Sequence, residues 1–202
     1  MKELENFLSE KKSLKKIADV SKSNKVPVIS NDVGRLLETI IFLRQPENIL
    51  EIGCGEGYST YYLIKNLEKG SYTGIDLNKK RIEKAENFIS SSFPKKKVSF
   101  IHGNALKIIP EIKESFDFIF IDAAKYEYPG YLEILLNKLN ENAIIVADNV
   151  FIDEKIFSNY VKDHDKNSVK GIKEFIKFIN NSNLLKTIFL DIGDGVSVSI
   201  FR

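Results

Sequence analysis

Apolar positions along this chain recur with two periods, and the change between them falls near residue 48. Over residues 1–23, Leu4, Phe7, Leu8, Leu14, Ile17 and Val20 follow helical spacing while the opposite face is heavily charged. Pro27 interrupts the pattern, and residues 31–44 resume it, with Ser30 or Asn31 as the N-cap. From residue 48 short apolar runs alternate with helical segments. Strands are expected at 48–53, 72–77, 97–103, 117–122 and 143–149. Helices are expected at 58–67, 79–92, 105–113 (interrupted by Pro110), 130–139, 153–163 and 168–181. The tail carries two β-rich runs around Gly193-Asp194-Gly195, a hairpin signal.

Repeated β–α units with nearly continuous apolar strands predict an α/β fold, a mostly parallel sheet covered by helices on both faces. The closing hairpin requires at least one antiparallel strand. There is no internal repeat and no low-complexity segment. The expected organisation is one domain over 1–202, with residues 1–45 as a helical cap on a 46–202 core.

Composition narrows the functional classes. A chain of 202 residues that is 43% hydrophobic suits one sizeable core, and a net charge of +2 neither announces nor excludes a nucleic-acid partner. One cysteine rules out an internal disulfide framework, and with only two histidines (His102 and His164) the chain is short of ligands for a typical zinc site. The charged start lacks a signal-peptide core, and no apolar run approaches the roughly 20 residues that span a bilayer. A cytoplasmic protein without membrane association is expected.

Two patterns carry chemistry. Gly53, Gly55 and Gly57 lie in "LEIGCGEGYS", after the first strand and before a helix, where a ligand can approach the backbone closely. A nicotinamide-dinucleotide fingerprint needs glycine where Tyr58 stands, which disfavours a dehydrogenase. Asp76, at the end of the next strand, suits the hydroxyls of a ribose. The second pattern is an all-oxygen set. Asp122 ends the fourth strand, and Asp148 with Asn149 ends the fifth, so a parallel sheet brings them to one rim. Hard oxygen donors suit Mg²⁺ or a similar divalent cation. Lys125 follows three residues after Asp122.

The Glu51–Gly57 segment with Asp76 resembles the S-adenosylmethionine (SAM) site of class I methyltransferases. "IDAAK" with "ADN" resembles the cation-dependent O-methyltransferases of the catechol and caffeoyl-CoA group. The resemblance implies a Rossmann-like, seven-stranded sheet with one antiparallel strand. It implies a SAM site that includes Val28 and in which Glu51, Gly53, Gly55, Tyr58 and Ser59 hold the methionine end. Asp76 takes the ribose, Asn104 and Ala105 frame the adenine, and Asp122 borders the site. Asn104 stands where the family commonly has aspartate. The metal falls to Asp122, Asp148 and Asn149, and catalysis to Asp122 and Lys125, the lysine serving as base if its pKa is depressed. A homodimer is expected from the same resemblance.

For the acceptor, residues 26–37 and 122–136 look most like a bacterial branch whose members methylate 5-hydroxyuridine at the tRNA wobble position. Tyr126, Tyr128 and Tyr131 are then candidates to stack a base, and Lys11, Lys12, Lys15, Lys16 and Lys95–Lys97 to meet phosphates. Arg35 and Arg44 are further candidates to approach the site. The alternatives are a small catechol or hydroxycinnamoyl-CoA phenol and, from another class, a non-catalytic SAM- or RNA-binding module.

Overall fold

The computed structural model describes residues 26–202 and, before them, Leu14, Ile17, Ala18, Asp19 and Ser23. These five are helical; the rest of the expected 1–23 helix lies outside the described residues. Seven strands form one sheet: β1 (Asn48–Ile52), β2 (Ser71–Asp76), β3 (Lys97–His102), β4 (Phe116–Ile121), β5 (Leu139–Asp148), β6 (Leu185–Leu190) and β7 (Val196–Phe201). Their order is β3-β2-β1-β4-β5-β7-β6. β7 pairs antiparallel with both β5 and β6, so it alone reverses direction, as expected.

Alternation along the strands sorts the two faces. Leu50, Ile52, Ile119, Ile121, Ile145 and Ala147 point to one face, with Leu132 of α5 (Tyr128–Leu135) and Phe175 of α6 (Lys166–Asn181). Ile49, Phe118, Phe120, Ile144 and Val146 point to the other. There they meet Leu37 of α1 (Asn31–Arg44), Leu63 of α2 (Tyr58–Lys65) and Ile89 of α3 (Lys79–Ser92), together with Leu14 and Ala18. A short α4 (Ala105–Ile108) runs into a 3₁₀ turn at Ile109–Glu111, where Pro110 stops further α-helix. Of the two N-cap candidates for α1, Ser30 takes the role, its Oγ accepting from Val33 N–H at 3.2 Å.

Register positions the site. Ile52 lies opposite Ile121, and Ile121 opposite Ala147. The chain therefore leaves β1, β4 and β5 at one level, and Gly53, Asp122 and Asp148 emerge along a single rim. The connections from β1 and β4 diverge in opposite directions, which opens a crevice at their C-terminal ends.

The expected helix at 153–163 is not there. The segment holds only 3₁₀ turns, at Lys155–Phe157 and Asp163–Asp165. Ile152, Asp153 and Glu154 have φ of 49°, 49° and 61°, a left-handed stretch that cannot run into a right-handed helix. Phe157 and Tyr160 are exposed, so the apolar spacing there does not correspond to a buried face.

Candidate active site

Two adjoining cavities occupy the rim. The first, of about 390 Å³, is lined by Gly53, Gly55, Asp76, Arg81, Ala105 and Lys125 among others. The second, of about 510 Å³, is lined by Val28, Tyr58, Asp148, Asp194 and the chain around Ser30. Pro27, Asp122 and Asn149 line both.

The glycine loop fits the first cavity through its backbone. Gly53 has φ of 92°, and a Cβ there would lie 2.2 Å from the Asp122 carbonyl oxygen, so only glycine permits this approach of β1 to β4. Asp76 is buried at the end of β2. One carboxylate oxygen accepts from Gly55 N–H at 2.9 Å and the other from Asn78 N–H at 2.8 Å. Each oxygen keeps a lone pair for a ligand hydroxyl.

Glu51 sits differently from its expected place beside the methionine end. It is fully buried beneath the loop and lines neither cavity. Its carboxyl accepts from Ser59 Oγ, from Thr60 Oγ1 at 2.8 Å and from the Tyr72 hydroxyl. Burial pushes it up to about 7, against the opposing pull of these hydroxyls. Glu51 and Ser59 thus anchor the first turn of α2 from below, and Tyr58 is the loop residue that reaches the second cavity. Asn104 caps α4, its side-chain oxygen accepting from Leu106 N–H at 2.8 Å; Gly103 and Ala105, not Asn104, face the first cavity. Arg81, which the sequence did not single out, lines that cavity from α3.

The oxygen set assembles where the second cavity meets the first. Asp148 is 2% exposed, and burial together with the neighbouring Asp122 charge pushes its carboxyl up to about 7. A buried carboxyl raised by its carboxylate neighbour, beside an amide, is a donor set that a hard dication relieves. Asn149 follows with φ of 54°. Among the described residues there is no cluster of three or more His, Cys, Asp or Glu that would make a richer metal site. The residues present therefore fit Mg²⁺ with most of its shell left to water and substrate.

Lys125 donates to Asp122 Oδ1 at 2.8 Å and to the Tyr128 hydroxyl at 2.9 Å. Burial alone would lower it, but Tyr128 and Asp122 hold it above the ordinary lysine range. Without a cation on Asp122 the lysine is therefore held charged, whereas the base role expected from the sequence belongs to the state in which a cation draws on Asp122. Tyr128 is wholly buried; its hydroxyl donates to the Ile121 and Asp148 carbonyls at 3.1 and 3.0 Å, so it ties the ends of β4 and β5 to Lys125. Its burial removes Tyr128 from any base-stacking role; Tyr131 is of low exposure but lines the first cavity, and Tyr126 alone of the three is exposed. Arg44 donates to the Asn142 carbonyl, near the start of β5 and away from the rim. Lys96 donates to the Leu67 carbonyl, and Lys11, Lys12, Lys15 and Lys16 lie outside the described residues.

Asp194 is the carboxylate that sequence reasoning passed over, having treated Gly193-Asp194-Gly195 as a turn. Its Oδ1 accepts from Asp153 N–H at 2.7 Å and its backbone carbonyl from Phe151 N–H at 3.0 Å, so the hairpin turn holds the segment that follows Asn149.

Comparison with known proteins adds four observations. Residues 5–200 match the family model described as O-methyltransferase. A catechol O-methyltransferase of Niastella koreensis is 30% identical over 184 residues, covering 86% of this chain and 82% of that protein. A caffeoyl-CoA O-methyltransferase of Populus kitakamiensis is 31% identical, covering 86% and 76%. Among solved structures, the O-methyltransferase from Bacillus cereus in complex with SAH superposes with a TM-score of 0.89 at 26% identity, covering 100% of this chain and 96% of that one.

Proposed function

This chain belongs to the O-methyltransferase family, and from that membership we propose that it moves a methyl group from SAM to one of two neighbouring hydroxyls on a small phenol, with a divalent cation. The observation that carries this reading is the shared wall: Asp122 and Asn149 border both the glycine-loop cavity and the cavity holding Asp148. A donor in the first and an acceptor in the second meet at that wall, where proximity accounts for much of the rate.

SAM supplies the electrophilic methyl. The new O–C bond forms as the C–S bond breaks, and its electron pair neutralises the sulfonium. In this chain, Gly53 and Gly55 bring backbone close to the ligand, and Asp76 accepts from the ribose hydroxyls. Asp122, Asp148 and Asn149 would hold the cation, which when bound acidifies a hydroxyl and fixes its orientation. Lys125, within reach of Asp122 and Tyr128, is the side chain placed to receive the phenolic proton once the cation draws on Asp122, and its charge then holds the acceptor oxygen near the site.

The catechol and caffeoyl-CoA relatives support a phenolic acceptor over the tRNA nucleoside that the sequence put first, and the burial of Tyr128 points the same way. The test offers purified protein SAM, Mg²⁺ and either catechol, caffeoyl-CoA or tRNA carrying 5-hydroxyuridine, with products read by mass spectrometry. A methoxy phenol that forms with Mg²⁺ and disappears with EDTA is the expected result. Methylated tRNA with both phenols untouched would restore the first expectation, and full activity in EDTA would remove the cation.

A further inference from the structure

Tyr128 is wholly buried and lines neither cavity, yet its hydroxyl stands 2.9 Å from the Nζ of Lys125, which lines the first. Valence fixes which way that bond runs. A phenolic hydroxyl has one proton, and here it is shared between two carbonyls, Ile121 at 3.1 Å and Asp148 at 3.0 Å. None is left for Lys125, so the hydroxyl can only accept from the amine. Asp122 Oδ1, at 2.8 Å, is likewise an acceptor. Nζ has three positions besides its bond to carbon. Among the described residues two of them are taken by these acceptors, and the third is left to the cavity.

We infer that Tyr128 is a positioning residue for methyl transfer: its hydroxyl, held in direction by the carbonyls that end β4 and β5, aims the third position of Lys125 Nζ at the acceptor oxygen. The inference rests on the reading of Lys125 as the side chain beside that oxygen, and deepens it by naming what sets the direction of the amine. It applies equally to an amine that holds the oxygen by charge and to one that takes its proton. Asp122 alone cannot set the direction, because a single hydrogen bond leaves the amine free to pivot about it. Asp122 is also a proposed ligand of the cation, whereas the Tyr128 hydroxyl is enclosed between the ends of β4 and β5 and has no second duty.

Tyr128→Phe removes the hydroxyl and keeps the ring, which packs edge-on against Phe175 at 5.4 Å. Rates are measured with SAM, Mg²⁺ and the phenol methylated in the preceding test, for wild type, Tyr128→Phe, Lys125→Met and the double variant. Calorimetry with SAH gives the affinity and the active fraction of each. The expected kcat of Tyr128→Phe is lower on the order of ten- to a hundredfold, with SAH bound as tightly as by wild type. Adding Tyr128→Phe to Lys125→Met should cost nothing further. A hydroxyl that only clamps β4 to β5 would cost the same factor in both backgrounds, because Asp122 and Asp148 would shift whatever stands at 125. That result, weakened SAH binding, or a Tyr128→Phe enzyme as fast as wild type overturns the inference and leaves methyl transfer standing. Where Lys125→Met is too slow to measure, a crystal structure of Tyr128→Phe decides. Nζ displaced with Asp122 and Asp148 in place is expected; Nζ unmoved, or the carboxylates displaced, overturns it. A Lys125→Met enzyme as fast as wild type removes the role of the lysine and this inference with it, and a wild type that methylates no phenol removes the function proposed above.

Discussion

Glu51 shows how a single buried carboxyl governs both the loop above it and the pH response of the apoprotein. Its ordinary value of 4.5 is raised to about 7 in the folded chain. Below 4.5 it is protonated in both states and costs nothing. Between 4.5 and 7 the folded state binds the proton more tightly, so stability falls as pH rises, and the full loss is present above 7. The shift corresponds to a loss on the order of 3 kcal/mol. Glu51→Gln removes that titration, so in metal-free buffer the drop in unfolding free energy from pH 5 to pH 8 should shrink by a similar amount. Asp148, raised from 3.8 to about 7, leaves part of the slope in place. Urea midpoints at the two pH values decide it; an unchanged slope means Glu51 titrates normally. Glu51, Asp76, Asp122 and Asp148 were visible in the sequence because each ends or follows an apolar run, where a carboxylate has no packing purpose. Asp194, Arg81 and Tyr128 were not, because their positions depend on which turns and helices fold back over the rim. Tyr128 was read as a stacking surface for the same reason: its sequence neighbours do not say that its hydroxyl spans β4 and β5.

At the scale of elements, α6 shows packing overruling propensity. Gly171 lies in the interior of this helix, where alanine is ordinarily better by about 1 kcal/mol. A Cβ at 171 would stand 2.6 Å from Tyr126 Cα and 2.7 Å from the Lys125 carbonyl oxygen. Both are backbone atoms, so no side-chain rotation relieves the overlap, and either α6 or the Lys125 segment must shift. Gly171→Ala is therefore expected to destabilise by about 1–3 kcal/mol and to lower kcat, since Lys125 moves with the segment. A variant with a higher urea midpoint than wild type would contradict the close approach. Strands and most helices were legible because burial on one or both faces imposes a period. The 153–163 segment misled for the opposite reason. Ile156, Phe157, Tyr160 and Val161 imitate a helical stripe, but the left-handed Ile152–Glu154 turn sets the chain on another course, and only Ile156 and Val161 pack on the core.

At the scale of the whole molecule, the alternation of elements and the closing hairpin were enough to expect a mostly parallel sheet with at least one reversed strand. The strand order β3-β2-β1-β4-β5-β7-β6 makes the site, because it sets β1 and β4 side by side with their loops diverging. Among the described residues, no helix is long and apolar enough to cross a membrane. The first cavity takes its wall from the ends of β1, β2 and β4 and from Val26 and Pro27, parts of the chain up to about a hundred residues apart in sequence. A ligand that touches all of these binds the folded state alone, so its affinity adds directly to global stability. With SAH at a hundredfold excess over its Kd, the gain is about 2.7 kcal/mol. For a chain of this length each kcal/mol raises Tm by about 2–4 °C, so a shift of about 5–10 °C is expected by scanning calorimetry. NAD at the same concentration should give none, because Tyr58 occupies the position where the dinucleotide fingerprint needs glycine. A Tm that rises with NAD and not with SAH would mean that the crevice between β1 and β4 is shaped for a different nucleotide, and the assignment of Asp76 to a SAM ribose would fall with it.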